Sequence, residues 1–311
     1  MKKLKKLYVR EATILGVFLL LLMIVGTIWD LPISKFMYPG HENTFGQFFA
    51  AFGRLPAFVG LVSSGVLLFS VYKRLKKGFI QWLAFAGALV LVAGGILLCA
   101  KEAVGDVIAM PLWAALLVTA FVSTLYSFAL LVLTRTCQTK TIIRFIGATV
   151  FTIVASFLIV ELLKAVWGRP RMVLISSVGN DSLFVPWFKP GSELKKRLIE
   201  EGVAKDMVSS FPSGHSTSAA CAMLLLLVPT LGKAVRGRER LFMLAGAAWT
   251  VIVCFSRIMM GAHFLTDVTA AVAITLICAI IGIKLFYFSG AFFRWFWWLI
   301  AEPQKNMDGQ E

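Results

Sequence analysis

Eight apolar runs, at roughly 12–29, 54–72, 79–100, 111–134, 145–166, 214–231, 241–257 and 264–287, divide the chain. Each is close to the ~20 residues that an α-helix needs to cross a hydrocarbon layer of about 30 Å. Lipid offers no partners to backbone N–H and C=O groups, so runs of this kind must close their hydrogen bonds internally as helices. The pattern predicts an all-α, polytopic membrane protein of about eight transmembrane helices. With 59% hydrophobic and 15% charged residues among 311, the chain does not read as a soluble domain.

The formal net charge of +15 would suit nucleic acid or anionic lipid if it were spread over one face. Instead it is dealt out by topology. Lysine and arginine crowd "MKKLKKLYVR", "YKRLKKG" after the second run, "RTCQTKTIIR" after the fourth and "KAVRGRER" after the sixth. The positive-inside rule puts those ends in the cytoplasm. The 30–53, 101–110 and 167–212 connections then lie outside, both termini lie inside, and no nucleic-acid partner is expected. The apolar run after the basic start is too long for a signal peptide and has no small-residue cleavage site, which reads as an uncleaved anchor. Cys99, Cys221, Cys254 and Cys278 lie in apolar runs and Cys137 in a basic connection, so no disulfide framework is expected. The organisation read from this is one integral membrane domain over 1–311. It comprises an N-terminal four-helix part (1–144), a second four-helix part (145–287) and a cytoplasmic interfacial tail (288–311) whose "FFRWFWWLI" is an aromatic belt.

With that orientation, three polar clusters fall at outer helix ends. "KAVWGRPRM" supplies Lys164, Arg169 and Arg171; "PSGH" supplies Ser213, Gly214 and His215; "SRIMMGAHFLTD" supplies Arg257, His263 and Asp267, the last two sharing a helix face. Together they read as a phosphate site. Ser213 and Gly214 precede a helix whose first N–H groups can hold an anion. Lys164, Arg171 and Arg257 add charge, with guanidinium forks matched to phosphate oxygens. His263, with Asp267 one turn on to accept its other N–H, suits a nucleophile, and His215 is left as the acid. Each residue also has a plainer use: lysine and arginine snorkel at helix ends, Ser213 caps a helix, and Glu161 pairs with Lys164. His41 has no partner set and reads as solvated.

These residues resemble the type 2 phosphatidic acid phosphatase superfamily, whose signatures are Lys-x6-Arg-Pro, Pro-Ser-Gly-His and Ser-Arg-x5-His-x3-Asp. Lys164 and Arg171 fit the first spacing, 212–215 the second, and Ser256, Arg257, His263 and Asp267 the third. Met172 stands where the first signature has proline, which leaves Arg169, followed by Pro170, as the alternative to Arg171. The resemblance implies a lipid phosphatase of the inner membrane of a bacterium, acting without metal or organic cofactor on a lipid phosphate such as polyprenyl diphosphate, phosphatidylglycerophosphate or phosphatidic acid. It implies phosphate binding by Lys164, Arg171, Ser213, Gly214 and Arg257, attack by His263 oriented by Asp267, and protonation of the leaving group by His215. A lipid phosphotransferase of the same superfamily would share the phosphohistidine, and an anion or lipid transporter would share only the charges. No obligate protein partner is expected. The four N-terminal spans show no chemistry and read as scaffold or a lipid-facing wall. Phe184, Trp187 and Phe188, with an amphipathic helix in "SELKKRLIEEGVAKDM", read as a rim at the lipid surface.

Overall fold

A computed structural model describes residues 2–40, 43–105 and 112–301. His41, the 106–110 part of one connection and the tail beyond 301 lie outside the described residues. The helices are α1 (Lys2–Met37), α2 (Thr44–Phe52), α3 (Leu55–Val71), α4 (Phe79–Gly105), α5 (Leu112–Thr134) and α6 (Thr139–Val166) in the first half. They are followed by α7 (Met172–Val178), α8 (Ser192–Glu200), α9 (Gly214–Ala220), α10 (Glu239–Met259), α11 (Leu265–Ile283) and α12 (Gly290–Ile300). Among the described residues there is no strand, only a one-residue parallel pairing of Arg169 with Ser209.

Among the described residues seven helical stretches are long and apolar enough to span a membrane, one fewer than predicted. The eighth run, Gly214–Thr230, is shorter. It starts as α9 and continues from Cys221 to Thr230 as ten residues of 3₁₀ helix. Seventeen α-helical residues would rise about 25 Å, but ten of them at about 2 Å each stretch the run to about 30 Å, the depth of the hydrocarbon. The long helices carry Leu20, Val90, Phe121, Leu162, Val251 and Ile277 exposed. Such an apolar surface on every side is stable only against lipid, and the chain is a membrane protein.

Packing sets α6, α9 with its 3₁₀ continuation, α10 and α11 together, with α1 against α11. Helix α3 packs on α6 and α9 and carries α4 and α5 on its far side. Lipid gives apolar side chains no incentive to leave it, so close backbone approach holds such helices together. At Gly246 of α10 an added Cβ would stand 2.2 Å from the Ala222 carbonyl oxygen.

The two ends of the bundle differ in charge. At one end Glu11 meets Arg240, Lys76 N–H donates to Ile300 O, and Arg144 lies 4.4 Å from the centre of the Phe293 ring. Helix α12 therefore folds back on the bundle through Phe293, while Trp295 and Trp298 stay exposed. At the other end Lys35 pairs with Asp181 and Trp187 Nε1 donates to Thr27 Oγ1 at 2.8 Å. The basic clusters collect at the first end and the three polar clusters at the second.

Gly246→Ala should lower the thermal unfolding midpoint in detergent, because overpacking costs about 1–3 kcal/mol against a helix-propensity gain of about 1 kcal/mol. Gly94→Ala in α4, where an added Cβ meets nothing within 4 Å, should raise it or leave it unchanged. Equal effects at the two sites would contradict the close approach.

Candidate active site

The segment between α6 and α7 stitches the clusters together. Arg169 N–H donates to Val208 O at 3.0 Å, Ser210 N–H to Arg169 O at 2.9 Å, and Val173 N–H to Gly261 O at 3.0 Å. Gly261 turns the chain from α10 towards α11 at φ +61°, a left-handed conformation, and a Cβ there would meet Tyr38 at 2.9 Å. Both demands are met by glycine alone.

His263 follows this turn and is 2% exposed. Its Nδ1 lies 2.6 Å from the Ser210 carbonyl oxygen, with Asp267 Oδ2 at 3.8 Å. A carbonyl can only accept, so Nδ1 carries the proton and Nε2 the lone pair. The N–H expected to reach Asp267 thus goes to a backbone oxygen, and Asp267 stands beside it as a charge. Burial pushes the His263 pKa down to about 4; Asp267 opposes this, and Arg171 and Arg257 reinforce it. The imidazole is neutral at neutral pH, the form a nucleophile requires.

Ser213 caps α9, its Oγ accepting from Ser216 N–H at 3.3 Å, and its own N–H donates to Asp267 O at 3.2 Å. His215, 4% exposed, turns towards α2, where Nε2 lies 3.0 Å from Ala50 O. The same carbonyl argument gives Nε2 the proton and makes Nδ1 the nitrogen that can work as an acid or base.

Two arginines that the sequence left as alternatives separate here. Arg169 has no exposed surface: Nε donates to Val185 O at 2.8 Å, Nη1 to Thr266 Oγ1 at 2.9 Å and to Asp267 Oδ1, and Nη2 to Asp30 Oδ2 at 2.8 Å. Phe264 and Phe184 flank its guanidinium, with ring centres 4.2 and 5.3 Å away. Arg169 is therefore a strut behind the site, and the alternative that gave it to phosphate is corrected. Arg171 precedes α7 and lies 3.4 Å from Asp206; its charge acts on His263 and Lys164. Met172 opens α7 and is buried with Ile175 and Phe264. The first helical position needs no N–H partner, which is why proline and methionine are both accommodated there.

Lys164, in the last turn of α6, lies 3.2 Å from the exposed carboxylate of Glu161. Its Nζ also comes within 3.0 Å of where a Cβ on Gly214 would stand, and Arg54 Nη2 comes within 3.2 Å of that point. Arg257 is buried at the end of α10, its charge felt at His263. An apolar cleft of about 350 Å³ lies between α3, α5, α6 and α10, lined by Leu55 and Pro56, which follow Arg54 in the chain, and by Ile153, Ala222, Leu225 and Trp249.

The N-terminal helices, read as scaffold or a lipid-facing wall, contribute contacts at the site itself. Asp30 of α1, Ala50 of α2 and Arg54 before α3 reach the site by the contacts above. Asp30 also accepts from Thr266 N–H at 3.0 Å, binding α1 to the start of α11. An acid at the end of an apolar run was the one available signal for Asp30. The aromatic rim is only partly a rim: Phe184 packs 5.3 Å from Phe264 inside, whereas Phe188 is exposed. Helix α8 is shorter than the amphipathic stretch, and its Lys195 Nζ docks on Lys164 O at 2.7 Å.

Removing one member of a buried ion pair typically costs about 3–5 kcal/mol, against about 0–1 kcal/mol for an exposed pair. Asp30→Ala should therefore lower the unfolding midpoint in detergent well below that of Lys35→Ala, which breaks only the exposed pair with Asp181. Similar midpoints would refute a structural role for the Arg169 bridge.

Comparison with known proteins bears on the same region. The family model described as PAP2 superfamily matches residues 145–291. Phosphatidylglycerophosphatase B of Bacillus subtilis (strain 168) is 37% identical over 71 residues, which cover 22% of this chain. The match spans about a third of that relative's length, 34%. No solved structure gives a significant match. The matched segment contains His215, His263, Asp267 and the turn at Gly261, and over it the chain is similar to the PAP2 superfamily.

Proposed function

We propose that the protein is a lipid phosphatase that hydrolyses a lipid phosphate or diphosphate at the outer membrane face through a phosphohistidine. The observation that carries this reading is the pair of histidines: each has one ring nitrogen set by a backbone carbonyl, which fixes the direction of its ring.

Lys164, Arg171, Arg257 and the Ser213–Gly214 turn hold the phosphoryl oxygens. The Nε2 lone pair of His263 forms a bond to phosphorus while the P–O bond to the lipid breaks, its electron pair remaining on oxygen. If the leaving group is an alcohol, the Nδ1–H of a protonated His215 supplies its proton. Water then attacks the phosphohistidine and gives its proton to the now neutral His215, and the N–P bond breaks. Inorganic phosphate leaves and both rings return to their starting states. Asp267 faces the positive charge that His263 acquires while phosphorylated. The low pKa of His263 favours attack, since little of the ring is lost to protonation at neutral pH.

Separation of the basic clusters from the site supports placing the site outside. Cysteine at Lys196, an exposed residue of α8, should react with a membrane-impermeant maleimide on intact cells, whereas cysteine at Arg238 should react only after permeabilisation. The reverse pattern would invert the topology.

His263→Ala should abolish phosphate release from lipid monophosphates and diphosphates alike, assayed with purified protein in EDTA. His215→Ala should slow monophosphate hydrolysis by about 10²–10⁴-fold but diphosphate hydrolysis less, because a phosphate monoester leaves without needing a proton. The comparison belongs under single-turnover conditions, so that slow product release does not mask chemistry. Equal losses on both substrates would remove His215 from the role of leaving-group acid.

A further inference from the structure

Two cations from different halves of the chain meet over Gly214. Lys164 comes from α6, inside the family-matched segment, and Arg54 comes from the joint between α2 and α3, well before it. An added Cβ would stand 3.0 Å from Lys164 Nζ and 3.2 Å from Arg54 Nη2, so the absence of a side chain on Gly214 is what admits both. Like charges held this close repel, and an anion between them relieves the repulsion. The exposed Glu161 carboxylate lies beside Lys164, on the side of its own helix.

The position of Arg54 along the substrate path gives it a distinct task. The residues immediately after it, Leu55 and Pro56, line the apolar cleft, whose volume of about 350 Å³ suits part of a hydrocarbon tail. A lipid whose terminal phosphorus faces His263 and whose tail enters the cleft at Leu55 and Pro56 would set its intervening atoms near Arg54, the residue that precedes them and reaches Gly214. In a monophosphate those atoms are the ester oxygen and the first carbons, to which a guanidinium offers little. In a diphosphate they are the inner phosphate, which matches the guanidinium fork and becomes the leaving group.

Building on the lipid phosphatase reading, we infer that Arg54 is a specificity-determining residue that binds the inner phosphate of a lipid diphosphate between the reacting phosphate and the tail. When the bridging P–O bond breaks, its electron pair stays on the inner phosphate, and Arg54 offsets the added charge. The interaction strengthens in the transition state and so acts on turnover as well as binding.

The test is single-turnover hydrolysis of farnesyl diphosphate and farnesyl monophosphate, with the same tail and the same detergent. Arg54→Ala should lower the diphosphate-to-monophosphate rate ratio about 10- to 100-fold, the range expected for a lost charge-assisted hydrogen bond. Arg54→Lys keeps the charge without the fork and should lower the ratio by less; it decides the matter if Arg54→Ala does not elute as folded protein on gel filtration. An unchanged ratio in the folded variants, including an equal loss on both lipids, would overturn the inference. A wild-type protein active on the monophosphate alone would overturn it while leaving the phosphatase reading intact. A wild-type protein inactive on both would instead strike at the phosphatase reading.

Discussion

The site depends on a buried guanidinium. Arg169 touches no solvent, and its donors reach a backbone carbonyl, a threonine hydroxyl and two carboxylates on different helices. Burying an unpaired charge would cost several kcal/mol, so each partner is needed to make the arrangement tolerable. That mutual need fixes α1, the 168–171 segment and α11 relative to one another. Asp267 is then held from one side by Arg169 and from the other by Ser210 Oγ and the Phe264 N–H at 2.8 Å. Its position beside His263 follows from that network.

Around this strut the solvent is lipid, and the fold answers to two different requirements. Helices far from the site are apolar throughout and associate where small residues permit, as at Gly65 of α3, where an added Cβ would come within 2.8 Å of Ala88 O. Helices that carry the site must stop at a given depth with polar ends correctly placed. The 3₁₀ continuation of α9 meets that requirement: it starts at the cap formed by Ser213 and still crosses to Leu231 with few residues. Function and span share one short segment because its pitch changes part way along.

Much of this was legible in the sequence, and the remainder was hidden for identifiable reasons. Apolar runs announce helices because length and composition decide them. The polar clusters are legible because Lys164, His215, Arg257 and His263 stand out against apolar surroundings at recognisable spacings. Asp30 did not stand out: it lies near the end of its run and shortly before Pro32, a pattern that reads as the start of a loop, whereas α1 continues through that proline to Met37. Arg54 passed for the edge of a span. The assignment between Arg169 and Arg171 required knowing which guanidinium is buried, and burial there is set by α1, more than a hundred residues away in the chain. No local pattern records such a pairing.

Both histidines are aimed by main-chain oxygens, those of Ala50 and Ser210. An acceptor of this kind survives any substitution at its own position, so a survey that truncates side chains one at a time would pass over it. The aim of each ring is instead inherited from the path of the chain: α2 for His215, and the segment paired with Arg169 for His263. Changes that slide either stretch by an ångström would misdirect a ring while leaving every reactive group in place. Drift in the aim of the two rings would then arise first in residues that only position backbone, far from either imidazole.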